Sequence, residues 1–258
     1  IKVSADGVRE QVSPSGTVIT SRDGSNNEIS VKLGVDGKPT EMVTPSGTYI
    51  YDASKNQWSK DTIPVAGAEF NRATGEIIIR KDADNTITTK LNGEVTTLNR
   101  AAGNLKTEFD AKGEVKAISS DYIGSLKRQQ DPSDSTKTTF VDDKGISGYK
   151  VQKGLLNSVD ITKPNGDRAF VMPNGLRGEM TADGAQSRWF DKDNQLTQVR
   201  DGIDSYSIDR ADPAKPQVTH QSDGAAVTKM PILDANASAA DKANYPYATL
   251  DKATGALT

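Results

Sequence analysis

Phe109-Asp110-Ala111-Lys112-Gly113-Glu114-Val115 is the stretch that decides how this chain folds. Asp110 stands where a tight turn needs a side-chain acceptor for its own backbone. Ala111 and Lys112 are the central pair, and Gly113 takes the left-handed position that sends the chain back. Phe109 and Val115 then face each other across the two arms of a hairpin. Phe190-Asp-Lys-Asp-Asn-Gln-Leu196 repeats the pattern at the same length, while Tyr51-Asp-Ala-Ser-Lys-Asn-Gln-Trp58, Phe70-Asn-Arg-Ala-Thr-Gly-Glu-Ile77 and Leu250-Asp-Lys-Ala-Thr-Gly-Ala-Leu257 are one residue longer.

Outward from this motif the same chemistry recurs. Asp-Gly pairs stand at Asp6-Gly7, Asp23-Gly24, Asp36-Gly37, Asp183-Gly184, Asp201-Gly202 and Asp223-Gly224, and Asn-Gly pairs at Asn92-Gly93, Asn165-Gly166 and Asn174-Gly175. Such pairs accept the positive φ angles of hairpin turns at least cost. The segments between them have strand length and alternate. Ile29, Val31, Leu33 and Val35 fall on one side with Ser30, Lys32 and Gly34 on the other, and Leu105, Thr107 and Phe109 follow the same rule. Thr-rich runs such as Thr86-Ile87-Thr88-Thr89 suit a half-buried pleated surface. A longer repeat, Val12-Ser-Pro-Ser-Gly-Thr-Val-Ile19, returns as Val43-Thr-Pro-Ser-Gly-Thr-Tyr-Ile50.

The pattern predicts an all-β fold of antiparallel β-hairpin repeats, forming a long twisted or curled sheet that is either an open solenoid or barrel-like. Residues 1–258 read as a single repetitive β domain. The polar stretch Ser119–Thr136 reads as a loop or linker that could divide it into 1–118 and 137–258, and Arg210–Gln217 carries turn chemistry. The only candidate for a turn or two of helix is the Ala-rich Asp234–Asn244.

The Tyr51-Asp52 copy and its Phe-Asp relatives resemble the YD or Rhs-type repeat, a tyrosine-aspartate hairpin motif of bacterial surface and toxin-delivery proteins. The resemblance implies a hairpin-repeat architecture and an extracellular or bacterial cell-surface setting. It transfers no functional residue: where that family usually has Arg after the turn glycine, this chain has Glu76, Glu114, Gln195 or Ala256.

Composition narrows the function. Among 258 residues, 32 basic ones nearly balance 35 acidic ones, and the net charge of -3 disfavours a nucleic-acid partner. No apolar run is long enough to insert into a membrane as a helix. The absence of cysteine excludes disulfides, thiolate metal sites and cysteine nucleophiles. Ile1 in place of an initiating Met reads as a processed product or an excised fragment.

Candidate chemistry is sparse. His220 is the only histidine, has no Gly-x-Ser-x-Gly companion and reads as a strand residue with no identifiable partner. Asp191-Lys-Asp193-Asn194 and Asp82-Ala-Asp84-Asn85 begin like calcium loops but lack the later Gly and Glu, and turn capping explains them. Most other acids also stand in turns, so no catalytic residue, metal or cofactor is assigned. Asn236-Ala-Ser238 is a sequon without weight in a bacterial protein. Tyr49, Tyr51, Trp58 and Trp189 are the candidate ligand-binding residues, because exposed aromatics on a sheet stack on sugars or partners; burial in the core is the competing explanation. Adjacent Trp189 and Phe190 must point to opposite faces of a strand. The resulting expectation is a non-enzymatic structural or interaction module of a bacterial secreted or surface protein, with a protein partner or self-assembly. The alternative is a carbohydrate-binding module or glycan-active enzyme using a groove along the sheet.

Overall fold

A computed structural model describes residues 1–131, 134–155, 158–212, 215–222, 227–233 and 248–249. Among these the chain forms 26 strands and no α-helix. Strand order follows the sequence throughout. The first sheet contains β1 (Lys2–Val3), β2 (Arg9–Ser13), β3 (Gly16–Arg22), β4 (Glu28–Leu33), β5 (Pro39–Thr44), β6 (Gly47–Asp52), β7 (Gln57–Lys60) and β8 (Ile63–Val65). The second contains β9 (Gly67–Asn71), β10 (Glu76–Arg80), β11 (Asn85–Lys90), β12 (Val95–Asn99), β13 (Leu105–Phe109), β14 (Val115–Ser120), β15 (Gly124–Asp131) and β16 (Asp134–Asp142).

The third sheet begins with β17 (Lys150–Lys153), β18 (Val159–Thr162), β19 (Arg168–Val171), β20 (Arg177–Met180) and β21 (Gln186–Phe190). It continues with β22 (Leu196–Asp201), β23 (Asp204–Asp209), β24 (Gln217–Ser222), β25 (Thr228–Leu233) and β26 (Ala248–Thr249). All pairings are antiparallel except β25 with β26. No sheet closes on itself, so the fold takes the open form and not the barrel. The hairpins form three such sheets, of 8, 8 and 10 strands.

The motif turns form as their residues dictate. Asp110 accepts from the amides of Lys112 and Glu114, both at 3.0 Å, with Gly113 at φ 80°. Asp191 does the same for Asp193 and Gln195 at 3.0 and 2.8 Å, with Asn194 at φ 59°. Asp52 and Asn71 cap their longer turns through the amides of Ser54 and Ala73. Each short copy carries a bulge, which leaves Phe109 opposite Val115 and Phe190 opposite Leu196. The fifth copy, Leu250–Leu257, lies outside the described residues, as do Asp223-Gly224, Asp234–Asn244 and the sequon at Asn236.

Contacts divide the chain into two units, Ile1–Ser147 and Gly148–Thr258. In the first, alternation stacks Ile19, Val31, Met42 and Tyr49 in one cross-strand row. That row meets Ile77 and Ile79 of β10 in a shared core. Full burial of each such side chain is worth about 1.5–3 kcal/mol. Turns lock the two sheets together. The Gly24 amide donates to the Ala111 carbonyl at 2.8 Å, and the Ser21 hydroxyl donates to the Leu91 carbonyl. Gly93, at φ 91°, lies so close to Asp23 that an added Cβ would come within 2.7 Å of its Cβ and 2.8 Å of its Cα.

Ser119–Thr136 is not a linker. It contains the end of β14, all of β15 and the start of β16, and β15 pairs with β16 from Leu126–Asp142 through Asp131–Asp134. The segment stays in strands because the backbone ladder binds it while side chains such as Lys127, Gln129 and Gln130 face water; Leu126 and Phe140 supply the apolar anchors. The contact boundary falls instead between Ser147 and Gly148.

Candidate functional site

The structure separates the four aromatic candidates. Tyr49 is only 1% exposed, and its hydroxyl hydrogen-bonds Ser46 at 3.0 Å. Trp58 belongs to the same core. Tyr51 packs on Trp58 with ring centres 5.4 Å apart and donates to Asn56 Oδ1 at 2.5 Å. Packing therefore accounts for Tyr49 and Trp58, and Tyr51 is a half-buried shoulder on that core. Sequence could not reveal this, since alternation shows which residues share a face but not which face is covered.

Trp189 has different surroundings. In the second unit, Ala169, Val171, Arg177 and Leu196 are buried on one face of the sheet. The other face is set by register: Phe170 opposes Gly178, Gly178 opposes Trp189, and Trp189 opposes Gln198. The neighbouring row runs Arg168, Met180, Ser187, Arg200. Phe170 and Trp189 thus lie two strands apart, about 10 Å between backbones. Yet their rings stack with centres 6.2 Å apart and planes 9° apart. Gly178 makes this approach possible, because an added Cβ there would come within 2.7 Å of the Trp189 ring. The Arg168 guanidinium sits over the Phe170 ring at 4.9 Å. Arg200 donates through Nε to the Gly202 carbonyl at 3.1 Å. Arg168, Gln198 and Arg200 are exposed and both rings are half-buried.

Across β19–β22 this face carries two arginines, two aromatic rings, Met, Ser and Gln; one strand further, Asp160 of β18 stands opposite Phe170 on the same face and accepts from the Ser158 hydroxyl at 3.1 Å. Phe190 points to the opposite face, as alternation requires, and lies under the Arg177 guanidinium at 4.2 Å. Phe170, Gly178, Arg168 and Arg200 are the members that sequence reasoning missed. A signal was available. Counting outward from the Asn174-Gly175 turn places Gly178 opposite Phe170, but the next register depends on the turn at Asp183-Gly184 and cannot be counted without its geometry.

His220 has partners that its sequence neighbours do not show. Its Nε2 meets Asp204 Oδ1 at 2.9 Å, and its ring stacks on Tyr206 with centres 4.6 Å apart and planes 9° apart. Hydrogen bonds from His220, then Ser222, hold the Asp204 carboxyl below its usual range. Burial pushes the Tyr206 hydroxyl up. The cluster clasps β23 to β24, since Tyr206 and His220 are cross-strand partners.

Many of the other acids among the described residues serve turns and ion pairs. Asp82 accepts from the amides of Asp84 and Asn85 and from the Asn85 side chain. Glu94 lies between Lys116 and Lys90, which bring its carboxyl down to about 2. Among the described residues no three His, Cys, Asp or Glu side chains form a group able to hold a metal ion. Also among them, no helix is long and apolar enough to cross a membrane. No protein-family model matches the chain, and no curated protein matches it.

Proposed function

We propose that the chain is a non-enzymatic interaction module whose working surface is the Arg168–Phe170–Trp189–Arg200 face of the second unit. The observation that carries this reading is the parallel pair of the Phe170 and Trp189 rings, with Trp189 lying against Gly178, beside two exposed arginines. Two half-buried parallel rings on strands give a rigid platform at low entropic cost. The turn carboxylates support the non-enzymatic part, because backbone amides already occupy them as acceptors. The hairpin repeats and their likeness to YD-type proteins support a bacterial secreted or surface setting.

A carbohydrate ligand is the reading that the stacked rings favour over a protein partner, since sugar rings bind aromatic faces by stacking. A glycan array with wild type and Trp189→Ala, run beside a reducing-end release assay, tests both parts. Binding that the variant loses, without release, is expected. A blank array would sink the carbohydrate reading, and saturable release would sink the non-enzymatic one.

A further inference from the structure

Resting on that reading of the face, we infer that its ligand is an anionic polysaccharide, a uronic-acid polymer with a sugar ring stacked on Trp189, which Phe170 backs, while its carboxylates pair with Arg168 and Arg200. Arg168 and Arg200 stand at the two ends of one cross-strand row, three strand spacings or about 14 Å apart at the backbone. The aromatic row lies directly beside it. A polymer crossing the strands would therefore meet cations at both ends of its stacked segment. Ser187 and Gln198, between and beside the arginines, offer hydroxyl and amide groups to ring hydroxyls.

Charge complementarity separates this occupant from its competitors. A neutral glycan would use the rings and leave both guanidiniums in water. A uronate supplies the planar carboxylate that a guanidinium grips with two donors. Each arginine is also held: Arg168 by the Phe170 ring and Arg200 by the Gly202 carbonyl, so less side-chain freedom is lost on binding. Single-stranded nucleic acid would also stack and is also anionic. It carries a charge at every nucleotide, however, and draws its affinity from many phosphate contacts. Two arginines on a chain of net charge -3 fit a sparser anion better.

Calorimetric titration of the full chain at ~0.15 M salt, where charges beyond about 8 Å are screened, decides among these. The probes are polygalacturonate, its fully methyl-esterified form and oligo(dT). Polygalacturonate should bind at least tenfold more tightly than the ester, which keeps the sugar and loses the charge. Arg168→Gln/Arg200→Gln, at exposed positions that leave the core untouched, should erase that difference. Trp189→Ala should weaken both polymers, and a thermal melt of each variant reports whether it is folded. Equal or tighter binding of the ester would overturn the anionic inference while leaving the interaction reading standing. Tighter binding of oligo(dT) would replace the ligand class. No binding of any probe would overturn the inference, leaving the array experiment to judge the interaction reading separately.

Discussion

Gly93 and Gly37 share a left-handed backbone, at φ 91° and 77°, but differ in what surrounds them. An added Cβ at Gly37 meets open space, whereas at Gly93 it meets the Cβ and Cα of Asp23, in the β3–β4 turn of the first sheet. Gly37→Ala should cost about 1–2 kcal/mol, the price of the backbone conformation alone. Gly93→Ala should cost roughly 1–3 kcal/mol more, because overpacking against backbone has no soft exit. Urea unfolding of the two variants compares them, and equal midpoints would show that the turn contact does not hold the sheets. Gly178→Ala meets the ring of Trp189 rather than backbone. Its expected signature is a changed near-ultraviolet dichroism of tryptophan with a smaller loss of stability. At this scale the sequence was legible wherever a residue's role is local. Asp110, Gly113 and Asn194 do what their types imply. Gly178 and Tyr49 depend on partners brought in by pairing, and no local pattern encodes those.

The hairpin is the element that the sequence specifies best, because its turn and both arms lie within one short window. Asp110 shows how much rests on one such turn: it receives two amides and also pairs with Arg128 of β15. Burial raises its carboxyl pKa, but the Arg128 bond and the two amides outweigh this and leave it below normal. Asp110→Ala should therefore cost about 1–3 kcal/mol by loss of charged hydrogen bonds. Asp110→Asn, which keeps an acceptor, should cost clearly less. If guanidinium melts put the two variants together, turn capping is not what the side chain contributes. The hairpin of β15 and β16 marks the limit of legibility. Its run of Gln, Asp, Ser and Thr resembles a loop by composition, yet a ladder of backbone bonds makes it strand. Polar residues report exposure, and an exposed segment can still be held in a ladder.

Across the whole molecule the turn carboxylates act in concert on acid stability. Hydrogen bonds from Ser54, Asn85, Thr136 and Thr181 are the leading reasons that Asp52, Asp82, Asp134 and Asp183 titrate below the ordinary value of 3.8, with Asp52 near 2. Lys116 and then Lys90 bring Glu94 from 4.5 to about 2. Each depressed group adds stability that is complete above its unfolded pKa and is lost as pH falls through its folded one. The melting temperature should thus hold steady above about pH 4.5 and decline between there and about pH 2. Asp52→Asn, Asp82→Asn and Asp183→Asn combined should flatten that decline, since amides cap turns without titrating. A triple variant whose melting temperature tracks wild type across this range would sink the idea. The same dispersal of acids among turns explains why the class of fold was readable and the site was not. Turn chemistry repeats and announces itself, whereas the face bearing Trp189 occurs once and is assembled from four strands.

From β1 to β25, strand order that follows the sequence without a crossover has a consequence for ancestry. When every antiparallel strand pairs only with its neighbours in the chain, copying or deleting one hairpin in frame leaves every other pairing as it was. A gene built this way can lengthen or shorten by unequal recombination and still encode a sheet. The near-copies at Val12–Ile19 and Val43–Ile50, each forming a turn between two paired strands, are the trace such a duplication would leave.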